Sequence, residues 1–266
     1  MTAIETLFKR DDAVVLAALV LLALLAWFAT LAGAGTGMDP FAMSGWRVPA
    51  APPTPGTAWA LSYWLIVFFM WVAMMVAMML PGAAPMVLLY ARVVRKADGD
   101  AGAAPVRTAM AAFASGYLAV WSLFSLFAVC LQFGLERIGV MSAMMSVSPA
   151  RLAGGFLIAA GLYQLTPLKT ACLNHCRGPA AFLADHWRGG LSGAFRMGVA
   201  HGVYCLGCCA VLMLLLFVGG VMNLVWIAGL TLIVAIEKLA PFGAVVARVI
   251  GAVLIAGGLT LLAAGP

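Results

Sequence analysis

The chain has 266 residues, of which 65% are hydrophobic and only 9% charged, with a formal net charge of +6. Soluble domains carry about a quarter charged residues, so this composition excludes an ordinary water-soluble fold and points to an integral membrane protein. Its Lys and Arg residues stand in short clusters beside apolar runs rather than along one stripe, which excludes a nucleic-acid partner and reads as topology in a lipid bilayer.

The apolar runs are continuous over about 20 residues, the length of a helix that crosses the hydrocarbon, whereas a closed barrel shows alternating strands of about ten. The expected fold is therefore all-α, a polytopic bundle in one domain spanning residues 1 to 266. Spans are expected near 13–33, 58–80, 108–131, 151–168, 197–219, 222–239 and 242–263, seven in all.

In chain order, 13–33 follows Lys9 and Arg10 but is too long for a signal-peptide core, and Asp11 and Asp12 stand where a signal would be basic. An uncleaved first helix is expected. The Gly- and Pro-rich stretch "GAGTGMDPFAMSGWRVPAAPPTPGT" reads as an irregular external flap. The second span, "MWVAMMVAMMLP", carries Met70, Met74, Met75, Met78 and Met79 at helical offsets, with Pro81 at its exit. Such thioethers suit Cu(I), although methionine is also a flexible gap-filler of apolar cores. Cys130 stands alone in the third span and reads as a small buried residue.

The fourth span leads into "CLNHC", which sets Cys172, His175 and Cys176 into a compact ligand group, on a helical turn or a loop. His186 in the following loop reads as a surface residue, and Asn174 and Asn223 as capping or bridging residues. The fifth span carries "HGVYCLGCC". On a helix His201, Cys205 and Cys208 fall within an arc of about 60°, with Cys209 beside them. Gly198 and Gly202 bracket His201 and would let a neighbouring helix approach closely. Glu237 and Lys238 close the sixth span and read as interface anchors.

Charge distribution orients the chain. With the N-terminus inside, cytoplasmic segments hold eleven Lys and Arg, including Lys169 and Lys238, against Arg47, Arg137 and Arg151 outside, so the C-terminus is expected in the periplasm. Both Cys and His groups and the methionine stripe then lie toward one leaflet. Two histidines and five cysteines in two short windows point to ligation, and the candidate metal residues are Cys172, His175, Cys176, His201, Cys205, Cys208, Cys209, Met70, Met74 and Met78.

Sulfur-rich, carboxylate-poor ligands favour Cu(I), with zinc as the other candidate ion. The leading function is a transporter of Cu(I) or a copper donor to other proteins, with a protein metal donor or acceptor as partner. No Walker motif or ATPase segment occurs, and no catalytic constellation other than Cys205-Leu206-Gly207-Cys208, a C-x-x-C that would serve a membrane thiol-disulfide oxidoreductase. A purely structural metal site joining the fourth and fifth spans is the third reading.

The segments "MWVAMMVAMMLPGAAPMVLLY" (70–90), "YQLTPLKTACLNHCRGP" (163–179), "GVYCLGCCAVLMLLLFVGGVMNLVWIA" (202–228) and "EKLAP" (237–241) resemble the bacterial family named domain of unknown function 2182, described as predicted metal-binding integral membrane proteins. The resemblance implies a multi-pass protein of the bacterial inner membrane with a metal ligand. Cys172, Cys176, Cys205, Cys208, Cys209 and the methionines of the second span match the family pattern.

Overall fold

The computed structural model describes residues 3–36, 40–44, 59–98, 103–141, 145–147 and 149–264. Most of the expected external flap lies outside these residues, apart from a short 3-10 turn at Gly33–Gly35 and the short helix α2 (Pro40–Met43). Among the described residues the fold is all-helical, with an isolated bridge between Met141 and Val147.

The long helices are α1 (Ala3–Leu31), α3 (Leu61–Asp98), α4 (Ala103–Arg137), α8 (Gly190–Leu214) and α11 (Gly243–Ala264). Between them lie α5 (Ala150–Gln164), α6 (Pro167–Arg177), α7 (Pro179–His186), α9 (Leu216–Gly219) and α10 (Leu224–Leu239). Five stretches are long and apolar enough to cross a membrane: Ala13–Leu31, Leu61–Lys96, Val106–Arg137, Gly190–Gly219 and Gly243–Ala263. A sixth results if α5 and α6, bent by 64° at their junction, act as one span.

The sequence reading counts seven, and the difference lies in two places. The expected fourth span, 151–168, is α5 alone: Thr166 caps a new helix by accepting from Lys169 N, and Pro167 occupies its first position. The expected sixth is α10, 16 residues long. Asn223 starts it by accepting from Trp226 N, and Ala240 and Pro241 follow its end. At 1.5 Å per residue it measures about 24 Å, less than the hydrocarbon thickness of about 30 Å.

The second span runs on where an exit at Pro81 is expected. α3 continues through Pro81 and Pro85 to Asp98, as membrane helices do when neighbours satisfy the freed backbone groups. α4 packs along α8, and α5 along α11. Both pairs meet through glycine: a Cβ on Gly198 would overlap the Phe113 carbonyl, and one on Gly161 would lie 2.6 Å from the Gly251 carbonyl. Close approach at Gly198 and Gly202 is thus as expected, and the neighbour is α4. α1 and α11 show their apolar residues outward, among them Leu24, Phe28, Val249 and Val253, as lipid-facing helices do. Cys130 is exposed on α4 rather than buried as expected, because α4 turns its other face toward α3 and α8.

Candidate metal centre

α6 docks against α8 at Gly207. A Cβ there would come within 2.6 Å of Cys172 Sγ, so glycine makes the space for that thiol, and Tyr163 Oη donates to the Gly207 carbonyl beside it. This contact seats the face of α6 that carries Cys172 and Cys176 on the face of α8 that carries Cys205, Cys208 and Cys209. Cys208 Sγ lies 3.8 Å from Cys176 Sγ and 3.2 Å from Cys209 Sγ, and donates to the Cys205 carbonyl at 3.2 Å. Cys176, Cys205, Cys208 and Cys209 are buried, whereas Cys172 is partly exposed. All six cysteines are free thiols.

Cys205 Sγ contacts Cys176, Cys208 and Cys209 and has two further partners. It accepts from Lys238 Nζ at 3.0 Å and lies 3.1 Å from Tyr117 Oη. The Lys238 ammonium also reaches Met79 Sδ at 3.9 Å, and Tyr117 Oη donates to the Met79 carbonyl at 3.4 Å. The thioether that comes closest to the thiols through these contacts is thus Met79, while Met70, Met74 and Met78 line the same buried core that contains Cys176, Cys205, Cys208 and Cys209.

The two candidate histidines separate. His175 points off the thiol face of α6 and stacks on Tyr204 with centroids 4.2 Å apart and rings parallel to within 1°. Its Nδ1 contacts the Ala171 carbonyl at 2.9 Å. His201 is buried one turn from Cys205, amid Phe113, Tyr117 and Phe182. Its Nδ1 has no hydrogen-bond partner among the described residues, an orphaned nitrogen of the kind a ligand satisfies. His186 stacks on Phe182 at 4.5 Å.

Beneath the thiols runs a polar network that the sequence reading assigns to the interface. Lys169 and Lys238, counted there as cytoplasmic surface charges, are both buried, as is Glu237. Lys169 Nζ pairs with Glu237 Oε2 at 2.6 Å and donates to the Cys208 carbonyl at 2.5 Å, while Gln164 Nε2 donates to Glu237 Oε1 at 2.7 Å. The reason is tertiary: α10 lies across α3 and α6 and brings its last turn inside. The cytoplasmic tally falls from eleven to nine without these two, against three outside.

The four buried thiols of the cluster touch one another. No group of three or more His, Cys, Asp or Glu side chains is set to hold a metal ion among the described residues. Its donors are soft thiols with thioethers and an imidazole nearby, and the adjacent carboxylate is engaged by Lys169 and Gln164. That chemistry fits a soft ion rather than zinc in a carboxylate site or a hard cation.

Comparison with known proteins agrees on the element. The family model described as PpoB2, copper chaperone, matches residues 68–261, which include α4 to α10 and most of α3 and α11. The chain belongs to the PpoB2 copper chaperone family. The copper relation expected from the sulfur ligands is therefore shown at family level, while the name domain of unknown function 2182 remains a resemblance carried by the four motifs. No curated protein and no solved structure matches the chain significantly.

Proposed function

We propose that this family member carries Cu(I) as cargo in the bacterial inner membrane, as a transporter or as a donor that metallates other copper proteins. The observation that carries the reading is the meeting of Cys176 on α6 with Cys205, Cys208 and Cys209 on α8 inside a methionine-lined core. Thiolates and thioethers bind Cu(I) at low coordination number, and the thioethers need no deprotonation to do so. Cys172, partly exposed four residues before Cys176, gives the cluster a face from which a partner protein could receive or deliver the ion. His201, with its orphaned nitrogen, and Met70, Met74 and Met78 complete the proposed ligand set, and His175 belongs to it only if its stack on Tyr204 opens.

In this reading α10 and the bent pair also cross the bilayer, with the N-terminus in the cytoplasm and the C-terminus in the periplasm. Reporter fusions at the C-terminus test that orientation, and a cytoplasmic signal overturns it. A redox role for Cys205 and Cys208, whose free thiols are in contact, is the second reading, and it leaves the methionine-lined core without a function.

The test is elemental analysis of detergent-purified protein after anaerobic loading with Cu(I), beside a variant with Cys172, Cys176, Cys205, Cys208 and Cys209 all replaced by Ser. Copper in the wild type and background copper in the variant is the expected result. Background copper in both, or equal copper in both, overturns the reading. Proteoliposome uptake and transfer to a copper-free acceptor protein then separate transport from donation.

A further inference from the structure

Lys238 is unexplained by copper binding alone. Its stem passes Gly82 of α3, where a Cβ would meet Lys238 Cδ at 2.8 Å, and its ammonium ends 3.0 Å from Cys205 Sγ and 3.9 Å from Met79 Sδ. Among the described residues it has no carboxylate partner, because the adjacent Glu237 is committed to Lys169 and Gln164. A cation buried in an apolar bundle is costly to maintain and marks function more often than packing. Methionine would fill the same groove at no such cost.

We propose that Lys238 is a specificity residue, a fixed positive charge that makes the sulfur pocket prefer monovalent over divalent soft ions; this rests on the copper reading above. Ligand type cannot make that choice, since thiolate and thioether bind Cu(I), Ag(I), Cd(II) and Hg(II) alike. Charge can. One monovalent ion on two thiolates carries −1, and the ammonium beside it brings the buried assembly to zero. A divalent ion on the same ligands is already neutral, so the ammonium leaves an uncompensated positive charge in a medium that does not solvate it.

The magnitude follows from the contact. An ion on Cys205 lies within one contact of the ammonium, and repulsion acts on two charges of a divalent ion where it acts on one of a monovalent ion. At 4 to 5 Å and an effective dielectric of about 20, the extra charge changes the ratio of affinities on the order of 500-fold. Because the ratio compares two ions on one ligand set, the cost of burying the ligands cancels.

The experiment uses the full chain in detergent, loaded competitively with Ag(I) and Cd(II), and reads the bound ratio by elemental analysis for the wild type, Lys238→Arg and Lys238→Met. Wild type and Lys238→Arg are expected to favour Ag(I), and Lys238→Met to shift the ratio toward Cd(II) by about 500-fold. A ratio in Lys238→Met within about threefold of wild type overturns the proposal, as does Lys238→Arg shifting with it. Should Lys238→Met aggregate on size exclusion, Lys238→Gln carries the same expectation, since it keeps a polar tip without the charge. A wild type that binds neither ion refutes the copper reading itself, whereas metal binding with unshifted variants refutes only the selectivity.

Discussion

Replacing Glu237 by Ala isolates the energetics of the polar network under the thiols. Lys169 and Glu237 are fully buried with Nζ and Oε2 2.6 Å apart. Their mutual attraction is about 6 kcal/mol at an effective dielectric of about 20, and the cost of taking both ions out of water is of similar size. The intact pair therefore contributes little net stability, yet half of it is costly. Without Glu237 the Lys169 ammonium keeps only the Cys208 carbonyl, and Gln164 Nε2 loses its acceptor. The expected cost is about 3–5 kcal/mol. Lys169→Met combined with Glu237→Leu removes both charges and fills the volume, and is expected within about 1 kcal/mol of wild type. Reversible unfolding in mixed detergent micelles, followed by circular dichroism, measures all three proteins. A loss below about 1 kcal/mol for Glu237→Ala, or a double variant as unstable as the single one, would refute the reasoning.

Three further outcomes follow from named contacts. Gly198→Ala places a methyl group on the Phe113 carbonyl and should cost about 1–3 kcal/mol by forcing α4 from α8; Gly134→Ala, with nothing within 4 Å, should be neutral or stabilising by up to about 1 kcal/mol, both read as thermal midpoints in detergent. Cys176→Ser removes a buried thiol that touches Cys208 and should lose most of the bound copper, whereas Cys172→Ser should keep it and slow transfer to an acceptor, as stoichiometry and stopped-flow transfer would report. His201→Phe preserves packing among Phe113, Tyr117 and Phe182 and removes an orphaned nitrogen, so stability should hold or rise by about 1 kcal/mol while Cu(I) affinity falls in a chelator competition.

Hydropathy locates every long helix because lipid imposes one solution on the backbone, and α1, α3, α4, α8 and α11 each overlap most of an expected run. It was weakest where local chemistry competes with that rule. The cap at Thr166 and the proline after it split the fourth span, an event of three residues inside an apolar window. Pro81 misleads in the opposite direction, since a residue that ends soluble helices is tolerated within the long membrane helix α3, which runs on to Asp98. Lys169 and Lys238 were read as surface charges because their partners lie 68 and 33 positions away along the chain. A window of residues holds no record of such distances.

The site follows the same division between local and distant information. Helical spacing alone places Cys205, Cys208 and Cys209 on one face of α8, whereas the structure is needed to set Cys172 and Cys176 on a helix, α6, whose thiol face meets it. His175, three positions from Cys172, is turned enough to leave that face for Tyr204, so a ring in the right motif ends outside the cluster. The candidate ligand set takes Met78 from its doublet and leaves out Met79, although adjacent residues on a helix present two faces. α10 distinguishes the two in the structure: Lys238 crosses Gly82 and touches Met79 and Cys205 together, so Met79 is the thioether that shares an ammonium with a thiol. A basic residue ending an apolar helix thus carries two meanings, anchor or buried counter-charge, and only the neighbouring glycine on another helix separates them.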